Sequence, residues 1–237
     1  MSKISFVFSF FIIVLSTFML TRSTETAYIG VEYNFIAIQY IFSALPIICL
    51  CVTLRERTNN VFTNNNICRL VRYKSKRIVL LKELKKILIY VVVFQFVESL
   101  TIAMFTFNLR GFDFTNIVVY SILNILIKYL FMVIQFAGEI YSSNSFSFIV
   151  TAVVYLCLMF SGWLVNESIK KHHTEELVVS VLEFIQKINI VNYMSLERVN
   201  LSINQLCFFV LVILFVIFLV MFGIRNKVKG IDVLERG

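Results

Sequence analysis

The sequence predicts an all-α polytopic membrane protein with six transmembrane helices, on three observations. The first is composition. Of 237 residues, 59% are hydrophobic and 15% charged, where a soluble domain carries about 45–50% apolar and about 25% charged residues. One small soluble core cannot hold that apolar excess, and lipid accepts it. The second is distribution. Uncharged windows long enough to cross a bilayer, which takes about 20 apolar residues, recur along the chain. The third is the presence of 25 Phe and a single Pro, which favours long unbroken helices.

The elements follow in order. The first span covers residues 4–21, between Lys3 and Arg22. A cleaved signal peptide competes for this stretch. Its full span length and the lack of a clear small-residue cleavage site favour a span. The second span, 34–54, contains Pro46, which frees one backbone carbonyl and predicts a bend. A long loop, 55–86, precedes the third span, 87–107, which contains Glu98. The fourth span, 115–137, contains Lys128, the fifth is 145–165 and the sixth 203–224. The segment 167–200 lies between the last two. Its Leu177, Val178, Val181, Leu182, Ile185 and Ile188 recur at helical spacing, with Glu175, Glu176, Glu183 and Lys187 on other faces. This predicts an amphipathic helix, too charged to span, resting on the outer leaflet.

Lys and Arg in the loops set the orientation. Lys3, ten basic residues from Arg55 to Lys86, and Arg225, Lys227, Lys229 and Arg236 fall on one side; Arg22, Arg110, Lys170, Lys171, Lys187 and Arg198 fall on the other. The richer side is cytoplasmic, so both termini are placed there. The net charge of +8 thus reads as topology and attraction to membrane lipid headgroups, and nucleic acid is not an expected partner.

The loop reads LRERTNNVFTNNNICRLVRYKSKRIVLLKELKK from Leu54 to Lys86. Asn and Thr between Thr58 and Asn66 suit a turn and a helix start. Ile67, Leu70 and Val71 stand at helical spacing among Arg69, Arg72, Lys74, Lys76 and Arg77. Ile78, Leu80, Leu81 and Leu84 follow, with Lys82, Lys85 and Lys86. The pattern predicts a short helix, a basic elbow and an amphipathic helix along the inner membrane surface. The plainer reading gives these cations only a topological role, but ten exceed that need.

Glu98 and Lys128 lie near the middles of consecutive antiparallel spans, at comparable depth from the short turn around Arg110, Gly111 and Asp113. Pairing would offset both desolvation costs, and Gln95, Asn124 and Gln135 would extend a polar strip. An ion pair that fixes packing and a polar patch on a transport path stand side by side as readings. A proton relay is weaker, since Lys opposite Glu keeps both charged.

The five cysteines form no C-x-x-C pair and read as small apolar packing residues. His172, His173, Glu175 and Glu176 lack an evident third ligand on one helix face, so no metal site is expected. The chain has no phosphate-binding P-loop, no H-E-x-x-H and no G-x-S-x-G. An enzyme is not expected, and no cofactor is implied.

Six spans, both ends inside, a long basic loop after the second span and an amphipathic outer segment before the last together resemble the permease subunit of type-2 ATP-binding-cassette exporters. The likeness is one of architecture over nearly the whole chain. ICRLVRYKSKRIVLLKELKK, from Ile67 to Lys86, looks like that family's coupling region. The resemblance implies contact with an ABC ATPase subunit through Ile67, Arg69, Leu70, Val71, Arg72, Tyr73 and Lys74. Residues 167–200 correspond to the family's outer helices, which dip toward the membrane, and RNKVKGIDVLERG is similar to its short charged tails. The chain looks most like the short permeases of bacteriocin and lantibiotic export and immunity. A second permease chain, identical or related, and a peptide cargo are then the expected partners, in a bacterial cell membrane. Larger members carry a long amphipathic helix before the first span; here Met1–Ile4 stand there. The competing function is a stand-alone immunity or sensor protein that binds a peptide on its outer helix without ATP. An ion-coupled carrier would require an internal repeat, and none is evident.

Overall fold

The structure, a computed structural model, describes residues 3–22, 30–31, 37–55, 76–107, 113–172, 176–196, 198 and 203–229. Every regular element among them is helical. In chain order these are α1 (Lys3–Arg22), α2 (Ala37–Leu54), α3 (Lys76–Thr106), α4 (Phe114–Tyr141), α5 (Asn144–Lys171), α6 (Glu176–Ile188), a 3-10 turn (Ile190–Met194) and α7 (Ile203–Lys229). Among the described residues, four stretches are long and apolar enough to cross a membrane: Ile78–Thr106, Phe114–Tyr141, Asn144–Lys171 and Asn204–Lys227. Val7–Thr21 of α1 and Gln39–Leu54 of α2 are apolar as well.

The long helices pack as one bundle with α4 at its centre, touching α2, α3, α5 and α7. α4 buries residues from Ile117 to Ile140 on several faces. α7 does the opposite. Phe209, Ile213, Ile217 and Ile224 form its one buried stripe, while Phe208, Leu211, Phe215, Phe218, Leu219 and Phe222 are exposed. An exposed face of that size and apolarity suits lipid, not water. Cys157 and Cys207 are likewise exposed on apolar helices, whereas Cys49 and Cys51 are buried; all four are free thiols. Among the described residues, Cys49 and Cys51 thus pack inside the chain; Cys68 lies outside them.

Side-chain pairs fix the helix directions. Ser9 meets Thr53 at 3.1 Å, so α1 and α2 run antiparallel. Phe10 packs on Phe94 and Phe18 on Phe105, so α1 and α3 run parallel. Tyr141 donates to the Gly223 carbonyl at 3.1 Å, aligning α4 with α7. The α3–α4 turn thus marks one end of the bundle, the upper, and the α4–α5 turn the lower. Asp113 caps α4 at the upper end, accepting from the Thr115 backbone N–H at 2.9 Å and its hydroxyl at 2.7 Å.

Two expectations are corrected. The amphipathic stretch before the third span does not form a separate surface helix. Lys76–Thr106 is one unbroken helix of 31 residues. No Gly or Pro interrupts it, and Leu80, Leu84, Ile87, Val91, Phe94, Glu98 and Ile102 make one continuous buried stripe along it. The stripe keeps the helix straight from the basic segment into the bundle. The second correction concerns the outer segment around α6. It is not peripheral along its whole length. α6 folds back along α5, and the turn after it enters the bundle. The predicted coupling residues Ile67, Arg69, Leu70, Val71, Arg72, Tyr73 and Lys74 lie outside the described residues.

Candidate functional site

Two facing stripes of polar residues build the site. On α3, Gln95, Glu98 and Ser99 share one face by their three- and four-residue spacing. On α4, Tyr120, Ser121, Asn124 and Lys128 do the same. The Lys128 Nζ donates to Glu98 Oε2 in an ion pair and to Gln95 Oε1 at 2.7 Å. Tyr120 donates its hydroxyl to Glu98 Oε1 at 3.0 Å. Gln95 Nε2 reaches the Ser99 hydroxyl at 3.2 Å, and Ser99 and Ser121 meet at 2.6 Å. Lys128 is 2% exposed and Glu98 5%. Both charges are thus buried, paired and hydrogen-bonded, which is the condition under which such a pair persists inside a protein.

Asn124 carries the network beyond α3 and α4. Its Nδ2 donates to the Tyr120 carbonyl at 2.9 Å and to the Met194 carbonyl, in the 3-10 turn's last residue, at 3.1 Å. Asn189, just after α6, donates to the Leu158 carbonyl at 2.6 Å and the Ser161 hydroxyl at 3.0 Å, both on α5. Leu158 stands about 21 Å along α5 from its lower end, and Asn124 about 15 Å along α4 from its upper end, at 1.5 Å per residue. The turn between them therefore sits well inside the bundle. Irregular backbone at such depth requires protein partners. It has them: Val191, Asn192 and Tyr193 are buried, and Tyr193 stacks on Phe209 with ring centroids 3.7 Å apart.

Arg198 holds this seated segment. Its Nε donates to the Val31 carbonyl at 2.7 Å. One terminal nitrogen reaches Asn192 Oδ1 at 3.1 Å and the Met159 carbonyl at 3.4 Å; the other reaches the Tyr40 hydroxyl at 2.6 Å. The guanidinium lies 5.3 Å from the Tyr40 ring centroid, and Tyr40 stacks on Phe160. Ser195 adds a bond to the Val31 carbonyl at 2.9 Å. Two glycines allow the approach. A Cβ on Gly162 would collide with the Asn192 side chain, and one on Gly30, at φ +126°, with Ser195. Tyr193 donates its hydroxyl to the Lys187 carbonyl at 2.8 Å.

The segment and the charged pair border a pocket of about 30 Å³, lined among others by Glu98, Asn124, Lys128, Tyr155 and Arg198. That is room for about two waters, and far too little for a peptide.

Of the polar residues singled out in the sequence, Glu98, Lys128, Asn124 and Gln95 come together. Gln135 does not join them. It faces the lower end of α2, donating to the Cys51 carbonyl at 2.9 Å and to Glu139 Oε1 at 3.4 Å, while Ser147 donates to the Gln135 carbonyl at 2.6 Å. The single polar strip is thus two separate nodes. Tyr120 and Arg198 were missed. Tyr120 could have been found by its place four residues before Asn124 and eight before Lys128. Arg198 left no local signal. Of the four His and Glu residues weighed as metal ligands, His173 and Glu175 lie outside the described residues. No protein-family model, curated protein or solved structure matches the chain.

Proposed function

We propose that the chain is the permease subunit of an ATP-driven exporter, with six spans, both termini cytoplasmic and ATP hydrolysis supplied by a separate ABC ATPase subunit. The observation that carries the reading is the unbroken helix α3. It joins the basic segment 55–86 directly to Glu98, so a push at its lower end is delivered to the buried charged pair without an intervening hinge. α1, with 20 residues, rises about 30 Å, the thickness of the hydrocarbon core, and α2, with 18 residues, supplies the sixth span. The excess of Lys and Arg puts the lower end in the cytoplasm.

The small cavity argues that cargo does not pass through one chain. Two permease chains, identical or related, would form the path between them, and the exposed apolar faces of α5 and α7 are available to lipid or to that second chain. The proposed cargo is a peptide of the bacteriocin type, in export or in immunity, in a bacterial cell membrane.

The test is purification of the tagged chain from its native membrane in mild detergent, with mass spectrometry of what accompanies it. The account expects an ABC ATPase, lost on Leu70→Asp while insertion persists. One observation favours the second reading, a stand-alone immunity or sensor protein. α6 has no buried residue and exposes Leu177, Val181, Phe184, Ile185 and Ile188 on one face. Recovery of the chain with an extracellular peptide and no ATPase would favour that reading.

A further inference from the structure

We propose that the lower end of α7, together with the start of α3, binds the headgroup of an anionic phospholipid, with Arg225 as its anchor and the exposed stripe above Arg225 as the seat of an acyl chain. Three observations carry this, and none rests on the permease reading.

The first is Arg225 itself. Its Nε is buried and has no hydrogen-bond partner. Among the described residues its guanidinium makes no hydrogen bond, ion pair or ring contact. Other cations at this end are engaged: Lys86 pairs with Glu83, Arg55 donates to the Ser145 hydroxyl at 2.7 Å, and Lys227 lies 5.7 Å from the Tyr141 ring centroid. A buried donor needs an acceptor, and a guanidinium is a rigid fork of donors that matches phosphate oxygens.

The second is what stands above Arg225. Leu211, Phe215, Phe218, Phe222 and Arg225 follow one another in steps of four and three residues, so they form one line along the helix. The four apolar members are exposed. From Leu211 to Phe222 the line runs about 17 Å at 1.5 Å per residue. One leaflet supplies about 15 Å, half of the hydrocarbon core. An apolar line one leaflet long that ends in an unengaged cation complements a phospholipid, chain against the line and phosphate against Arg225.

The third is a second cation at the same level. Tyr141 donates to the Gly223 carbonyl, which levels the end of α4 with the turn that carries Arg225. Tyr141 lies thirteen residues below Lys128, and Lys85 lies thirteen residues below Glu98, the partner of Lys128. Lys85 on α3 therefore stands level with Arg225, and α3 packs against α7. Lys85 is exposed and engages no protein group among the described residues. It too stands at the foot of an exposed apolar line, Ile89, Val92 and Phe96. Two cations at one level favour a headgroup of net negative charge. The apolar lines that continue from both make the occupant a lipid and not a free phosphate.

The test uses the purified full chain in a neutral detergent. It is mixed with phosphatidylglycerol or with phosphatidylcholine of the same acyl chains, and the lipid retained after gel filtration is counted by mass spectrometry. The expected result is preferential retention of phosphatidylglycerol. Arg225→Gln should cut that preference about fivefold, the scale of one cation at an anionic surface. Lys85→Gln should give a smaller cut, and it decides the matter if Arg225→Gln fails to insert. Lys227→Gln, on the Tyr141 side of α7, should leave the preference nearly unchanged. Equal retention of the two lipids by the unaltered chain would overturn the site, as would a preference that survives both Arg225→Gln and Lys85→Gln. Equal losses from all three variants would mean diffuse attraction to a basic surface and would overturn a defined site. Full displacement of phosphatidylglycerol by an equal concentration of inorganic phosphate would overturn the lipid as occupant.

Discussion

Lys128 and Arg198 are both cations buried in the bundle, 2% and 8% exposed, yet they are held in different ways. Lys128 is held by two side chains of the preceding helix, Glu98 and Gln95 of α3. Arg198 is held largely by backbone carbonyls and by a tyrosine far away in the chain. The first arrangement ties neighbouring helices into a permanent wall. The second ties a folded-back segment to that wall by contacts that can be exchanged for water one at a time. The difference separates a part of the site fixed by an ion pair from a part fixed by uncharged acceptors.

The largest expected effect breaks the fixed part. Lys128→Met leaves the Glu98 carboxylate buried beside an apolar side chain, a change that costs about 3–5 kcal/mol. The thermal midpoint of the detergent-purified protein should fall accordingly. The Glu98→Gln, Lys128→Met double variant should recover most of it, because no buried charge is left alone. A double variant no better than the single would mean that the pair is not the main interaction of either residue. If the double variant folds and transports, the pair only fixes packing; if it folds without transporting, the pair belongs to the path.

Arg198→Met should cost less globally and more locally, about 1.5–3 kcal/mol on the scale of charge-assisted hydrogen bonds. Hydrogen exchange should rise in residues 190–196 and stay unchanged in the middles of α3 and α4. A uniform rise would erase the distinction between the two cations. Gly162→Ala sharpens the same comparison from the α5 side, pressing on both Asn192 and the Arg198 guanidinium. The added methyl collides with Asn192, and overpacking of this kind costs about 1–3 kcal/mol. Exchange should again rise in the seated segment only. The smallest effect is at the α4 cap. Hydrogen bonds from Thr115 hold the Asp113 carboxyl below its ordinary pKa, so its contribution is full near neutral pH and fades as pH falls through the carboxylate range. Exchange of the first-turn amides of α4 should show that dependence, and Asp113→Asn should remove it.

The helical class, the apolar helices and the Glu98–Lys128 pair were legible because each depends on local sequence. Uncharged windows report helices, and two charges at matched depth beside a short turn report a meeting. The straight course of α3 was also written in the chain. The buried stripe starts at Leu80, seven residues before the span expected from Ile87, and the Lys residues between masked it. What stayed hidden depends on tertiary contact. The apolar spacing of α6 is the same whether that helix lies on a leaflet or folds against α5; the bonds of Asn189 and Arg198 to α5, made beyond the helix itself, decide its course. Gln135 looked like a continuation of the Lys128 strip because it stands two turns away on the same helix. The chain brings the lower end of α2 against it instead, and no local pattern announces that. Arg198 read as a loop charge because its partners, two backbone carbonyls, the Asn192 amide oxygen and a distant tyrosine, form no charge pair or periodic pattern in the sequence.

The central structural claim is that the segment after α6 is seated inside the bundle. Ser161 and Asn189, whose side chains meet at 3.0 Å, give the most direct test: replace both by Cys in a chain without other cysteines and add a mild oxidant to native membranes. The account predicts a rapid intramolecular disulfide, read as resistance to separation after proteolytic cleavage between α5 and α6, and reversed by reductant. No cross-link here, with efficient labelling of Asn189→Cys from the outer solution, would place the segment on the surface and contradict the account.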